Sequence, residues 1–226
     1  MDTLSLGRVL AVSPHMDDAA LSAGNFLRAC DRPTILTVFG GIPERYGELT
    51  EWDASCGFAE GDDVVALRRA EDRAAAAHLG ATARWLDFVD SQYRSEPPSA
   101  ADIAGRIASV AGEIRATTIA LPFGIQHEDH RLTHDACALL LRDQRELAPN
   151  WVAWVDIPYR LWFADQVTER LDSLRQRGFQ LAPSEFVMTD AKRAALDEYA
   201  SQAKGLGDKA MENATRPEQL YLLTRQ

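Results

Sequence analysis

Apolar, β-branched runs alternate with amphipathic stretches along most of the chain. Residues 8–14 (RVLAVSP), 33–40 (PTILTVFG), 82–88 (TARWLDF), 117–123 (TTIALPF) and 151–157 (WVAWVDI) are short apolar runs of the kind that form buried strands. Between them, 19–30, 63–79, 99–115 and 130–146 repeat their apolar positions with helical period. The LGAT stretch at 79–82 supplies a glycine where the second helix should end. Such alternation predicts an α/β fold: Rossmann-like, three layers α/β/α, around a mostly parallel sheet. One long polar connection, 42–62, shows no periodicity, and loops of that length are usually functional or disordered. Beyond 158 the pattern loosens. Short strands at 179–188 and 218–224 around a helix at 190–203 are expected to complete one sheet edge. The chain thus reads as one domain over 1–226, a Rossmann-like core at 1–158 and an edge segment at 159–226.

Composition narrows the function classes. With 46% hydrophobic and 26% charged residues the chain is an ordinary globular one. A net charge of -10 argues against nucleic acid or an anionic membrane as partner, because both need clustered positive surface. No apolar run reaches the length of about 18 residues that a transmembrane segment needs, and no charged start precedes one. The expected location is cytoplasmic. Cys30, Cys56 and Cys137 form no CxxC pair, and Cys30 and Cys137 are expected as buried thiols.

Two polar clusters sit where predicted strands end. The first, SPHMDD, places His15, Asp17 and Asp18 after strand one; the second, HEDH, places His127, Asp129 and His130 after strand four. Ligands of open α/β sheets bind outside the carboxyl ends of strands, where strand order reverses. If strands one and four are neighbours there, both clusters face one crevice. Adjacent carboxylates are costly to bury unless a cation sits between them. His15, Asp18 and one histidine of the second cluster make two imidazoles and a carboxylate, a catalytic zinc set with a fourth position open to water. Asp17 is then free to act as general base. Helix capping by Asp17 or Asp18 is the competing explanation for the first cluster. Spacing alone does not choose among His127, His130 and His134, although His134, a turn deeper in its helix, better suits hydrogen-bonded support or a surface position. His78 reads as a helix-surface histidine.

These motifs resemble the PIG-L/LmbE-like zinc-dependent N-deacetylases, which remove acetyl groups from N-acetylglucosaminyl compounds. The family's PHxDD and HxDH patterns correspond to PHMDD and HEDH, and RRAEDRAAAAHLG resembles its Arg-x-x-Glu helix ending in Leu-Gly. The resemblance spans about residues 8 to 135 and implies zinc, one ion per chain, on His15, Asp18 and His130. It makes Asp17 the general base toward water at the metal. His127, best in protonated form, would stabilise the oxyanion or serve as acid, with Asp129 steering the histidines and Arg68 meeting substrate hydroxyls. The implied substrate is a small N-acetylated amino sugar or glycoside, and a homo-oligomer stays open. Met16 and Ala19 depart from the pattern without touching its chemistry. Ile125 stands where some members carry an oxyanion-holding tyrosine; Tyr159 is a weak replacement, and packing is its simpler role. Iron(II) suits the same donors as zinc.

Glu44, Arg45, Trp52, Asp53, Asp90 and Arg94 are candidates for the rim of a sugar site. Two alternatives remain. A two-metal phosphoesterase would need Asp17, Asp129 and His134 around a second ion. A non-catalytic Rossmann-like binding module fits poorly, since SPHMDD replaces the GxGxxG phosphate turn.

Overall fold

The computed structural model describes residues 6–225. In chain order these form β1 (Val9–Ser13), α1 (Asp18–Arg28), β2 (Thr34–Thr37), α2 (Glu51–Ser55), α3 (Val64–His78), β3 (Thr82–Trp85), α4 (Ala100–Ile114), β4 (Thr118–Pro122) and α5 (Glu128–Asp143). There follow β5 (Asn150–Trp154), α6 (Ala164–Gln176), β6 (Phe179–Phe186), α7 (Asp190–Asp197), α8 (Ala200–Leu206), α9 (Asp208–Ala214) and β7 (Glu218–Arg225).

The strands make one sheet in the order β3-β2-β1-β4-β5-β7-β6. Its first five members are parallel, while β7 runs antiparallel to both β5 and β6. Residue alternation divides the core between the two faces. Leu10, Val12, Ile119 and Leu121 meet Ile103 and Ile107 of α4, Leu140 of α5 and Leu174 of α6. Val9, Ala11 and Ala120 meet Ala20 and Phe26 of α1, Ala76 of α3 and Ala195 of α7. This is the predicted three-layer architecture, and burying each large aliphatic side chain contributes about 1.5–3 kcal/mol.

Local chemistry sets the helix starts. Thr50, Asp63, Ser99 and Thr189 each accept a hydrogen bond from the backbone N–H three residues on. Strand order reverses between β1 and β4, which pair directly, so the ends of these two strands open onto one crevice.

The five core strands and four core helices fall where the pattern places them. The 42–62 connection is not wholly irregular, for it contains the single short turn of α2. The edge segment holds four helices, α6 to α9, where one was expected. Its two strands match.

Candidate active site

The turn from β1 into α1 is tied from within. Ser13 Oγ donates to the carbonyl of His15 at 2.6 Å and accepts from the backbone of Ala19 at 3.0 Å. The backbone N–H of His15 in turn donates to Asp18 Oδ2 at 2.8 Å. Neither Asp17 nor Asp18 caps α1 through its side chain: Asp17 stands at the cap position without a capping bond, and Asp18 is already helical. The capping explanation of the twin aspartates is therefore set aside.

The second cluster begins α5, where His127 is the cap, its Nδ1 accepting from the Asp129 backbone at 3.2 Å. Gly124, between β4 and α5, has φ of 72°, and a Cβ there would lie 2.5 Å from that of His134. Only glycine lets the chain fold back so closely onto its own helix.

Across the β1–β4 crevice three donors converge. Asp18 Oδ2 lies 3.3 Å from His15 Nδ1 and 3.1 Å from His130 Nε2. All three ligand atoms fall within 4.8 Å of one another, as metal donors must. The far nitrogen of each imidazole rests on a buried carboxylate: His15 Nε2 is 3.1 Å from Asp129, and His130 Nδ1 is 2.6 Å from Asp156. A carboxylate behind each imidazole fixes its tautomer and aims its other lone pair, the arrangement found around metal-ligating histidines. The donor set therefore fits a divalent cation such as zinc or iron(II).

Asp129 is held further by Arg94 and by the backbone of Ser91. Arg94 thus lies beneath the site and not at its rim. Asp156, at the carboxyl end of β5, also accepts from the backbone of Gly124. The sequence reading missed it, because this lone aspartate has no histidine beside it, unlike the first two clusters.

Electrostatics separates the roles. Burial alone would raise Asp18, but His130 and His15 outweigh it and hold the carboxyl well below the usual range. Asp17 is shifted upward by burial and by the negative charge of Asp18. Burial, together with the positive charges of His15 and His130, lowers His127 to about 4. With its Nδ1 accepting from the Asp129 backbone, a neutral His127 carries its proton on Nε2.

The donors floor a cleft of about 260 Å³. Asp17, His127 and Tyr159 line it, with Phe39, Trp52, Arg68, Asp90, Gln92, Gln202 and Leu206 toward its walls and mouth. Arg68 is buried and donates to Asp53 at 2.9 Å, while its Nε has no partner among the described residues. Asp53 supports Arg68 and does not itself line the cleft; Tyr93 donates to its second oxygen. Trp52 is 36% exposed, its ring packed against Gly205, where a Cβ would come within 3.0 Å. Glu44 and Arg45 are exposed away from the cleft. The Tyr159 ring meets the His130 ring edge-on at 5.0 Å.

His134 lies elsewhere. Buried, it bonds through Nδ1 to the carbonyl of Pro122 at 2.9 Å, and its Nε2 has no partner among the described residues. It does not join Asp17 and Asp129 in a second metal set. The other cluster of donors, His15, His127 and Asp129, shares His15 with the first, and Arg94 already neutralises its carboxylate. His78 is on the surface, 2.9 Å from Glu198. Cys137 is buried as expected, while Cys30 is only half-buried.

Comparison with known proteins gives this geometry a family. The profile described as PIG-L, GlcNAc-PI de-N-acetylase, matches residues 10–140, more than half of the chain. The chain belongs to the PIG-L family. A 2'-N-acetylparomamine deacetylase from Streptomyces fradiae is 34% identical over 157 residues, 60% of this chain and 52% of that protein. The match thus spans about half the length of that relative. The protein of the same name from Niallia circulans is 29% identical over 86% of this chain and 80% of its own. Among solved structures, the A40926 pseudoaglycone deacetylase superposes with a TM-score of 0.78 and 27% identity, covering 97% of this chain and 98% of that one. A zinc-inhibited form of the teicoplanin deacetylase does so with a TM-score of 0.75 and 25% identity, covering 97% and 99%. The PIG-L fold extends, by these superpositions, through the edge segment that the family profile leaves unmatched.

Proposed function

We propose that this PIG-L family protein is a metal-dependent N-deacetylase that hydrolyses the acetamide of an N-acetylated amino sugar, releasing acetate and a free amine. The convergence of His15, Asp18 and His130, each histidine backed by a carboxylate, carries this reading. One zinc ion per chain is the proposed occupant. When bound, such a cation supplies Lewis acidity, which makes water a competent nucleophile near neutral pH and draws electron density from an acyl oxygen.

The side chains around it would divide the remaining work. Asp17, buried beside the ligand Asp18, takes a proton from the attacking water. Its burial favours the protonated carboxyl, which suits Asp17 to accepting a proton. His127 donates its Nε2 proton to the oxygen that becomes negative. A neutral His127 cannot protonate the leaving nitrogen without becoming an imidazolate. The proton Asp17 has taken therefore goes to the amine as the C–N bond breaks, and the oxyanion collapses to acetate. Tyr159, whose hydroxyl has no protein partner among the described residues and whose ring adjoins His130, is proposed as the second donor to that oxygen. Asp129 and Asp156 orient the ligand histidines. Arg68, which lines the cleft, would meet substrate hydroxyls through its guanidinium.

The substrate class follows from the cleft and the relatives. At about 260 Å³ the cleft is smaller than the ~300–1,000 Å³ of drug-sized sites. It suits one sugar ring with its aglycone outside. Relatives named for N-acetylparomamine, a pseudoaglycone and teicoplanin support a sugar carried on a natural product of modest size. The test is elemental analysis of protein purified without added metal or chelator, followed by acetate release from 2'-N-acetylparomamine and simple N-acetylglucosaminides at graded zinc. About one ion per chain, lost in Asp18→Ala, together with acetate release is expected. No acetate release with zinc or with iron(II) would sink the reading.

A further inference from the structure

We propose that Tyr199 and Asp72, held in its neutral acid form, are positioning residues that fix the His15–Asp18 turn through the carbonyl of Met16. This inference rests on the deacetylase reading and assigns to that site two residues that do not line its cleft.

Tyr199 stands between α7 and α8 and is 1% exposed; Asp72, on α3, is fully buried. The Tyr199 hydroxyl lies 2.6 Å from the Met16 carbonyl oxygen and 2.7 Å from Asp72 Oδ1. Both are short, full hydrogen bonds. A carbonyl oxygen can only accept, so the single phenolic proton is directed to Met16. The contact with Asp72 then needs a proton of its own, and only the carboxyl can bring it. Trp85 Nε1 donates to the other carboxyl oxygen at 2.7 Å, which leaves Oδ1 as the protonated one. The chain of donors therefore runs from Asp72 to Tyr199 to Met16, with every group satisfied. Burial pushes the Asp72 carboxyl up to about 7, and Asp17 adds its negative charge to the effect.

What the chain holds is the site's first turn. Ser13 already fixes the carbonyl of His15, and Tyr199 fixes the next one. Asp17 follows directly, between the two carboxyl-turn ligands His15 and Asp18. Without Tyr199, the peptide joining Met16 to Asp17 loses its buried partner and can rotate, carrying the proposed base away from its water. Misplacement of about 1 Å in such a group costs on the order of 10²-fold in turnover. The C-terminal segment, which lies outside residues 10–140, thereby reaches into the catalytic turn.

The experiment compares Tyr199→Phe, Asp72→Ala and Asp72→Asn by kcat, KM, thermal midpoint and zinc affinity in competition with a chromogenic chelator. Asparagine copies the neutral acid: its Oδ1 accepts from Trp85 and its Nδ2 donates to Tyr199. We expect Tyr199→Phe and Asp72→Ala to lose on the order of 10²-fold in kcat with KM little changed, and Asp72→Asn to restore kcat to within about twofold of wild type. Asp72→Asn as impaired as Asp72→Ala would overturn the neutral acid. Full kcat in folded Tyr199→Phe, with only a lower midpoint, would reduce the pair to structural support. If Asp72→Ala or Tyr199→Phe does not fold, Asp72→Asn decides alone by keeping or losing kcat. Should wild type itself release no acetate, the deacetylase reading fails, and zinc affinity then judges the positioning: weakened in Tyr199→Phe and kept in Asp72→Asn, or unchanged in both.

Discussion

Asp17 and Asp18 are neighbours in sequence with opposite electrostatics, and the difference comes from what each one faces. Asp18 is met by His15 and His130, which hold it ionised, whereas Asp17 has burial and its neighbour's charge against it. Asp17→Asn keeps the ligand set and removes the base. It should retain one metal per chain by elemental analysis and lose about 10²- to 10⁴-fold in acetate release. His127→Ala should also keep its metal, with turnover down about 10²- to 10³-fold; metal loss there would make it a ligand instead. Asp156 makes the complementary case. Asp156→Ala removes the carboxylate behind His130, so zinc affinity should fall about 10- to 100-fold in a chelator competition. The proposed ligand residues stood out in the sequence because two donor types, histidine and aspartate, recur together at two strand ends. Asp156 did not, because a lone aspartate after a strand looks like any turn residue until the sheet sets β5 beside β4.

Elements were legible in proportion to how much apolar surface they bury. Strands β1, β2, β4 and β5 are buried almost throughout, and their near-continuous apolar runs show it, whereas β3 at the sheet edge is only partly covered. Helix α6 was missed because ADQVTERLDSLRQ offers only Val167, Leu171 and Leu174 to the core, and only Leu174 is buried. The edge segment is fastened to α1 by polar contacts that no periodicity reports. Lys192 of α7 donates to Glu218 of β7 at 2.7 Å and to the Leu21 carbonyl at 2.8 Å, and Glu218 also accepts from the backbones of Asn25 and Phe26. Both charged side chains are 0% exposed. Removing one partner of such a pair strands the other charge in the interior. Lys192→Met should therefore cost about 3–5 kcal/mol in urea unfolding. Loss below 1 kcal/mol would mean that Asn25 and the α1 backbone satisfy Glu218 alone.

At the scale of the molecule, stability and function meet at the reversal point of the sheet. The chain carries a net charge of -10, and Asp17, Asp18, Asp129 and Asp156 are all buried around one crevice. Arg94 offsets Asp129, and the two ligand histidines offset the others only while they hold protons. A divalent cation placed among His15, Asp18 and His130 would supply that charge directly. It would bind the assembled crevice, which brings together residues more than a hundred positions apart in sequence, a site the unfolded chain lacks. Binding to the native state alone stabilises by about 2.7 kcal/mol at a hundredfold excess over Kd. For a chain of this length that corresponds to a rise of about 5–11 °C in thermal midpoint. Adding zinc at that excess to chelator-treated protein should produce this rise, and Asp17→Asn should show it undiminished. Asp18→Ala should show none. An equal rise in Asp18→Ala would place the stabilising ion away from the crevice and leave the four buried acids to be balanced by the histidine protons and Arg94 alone.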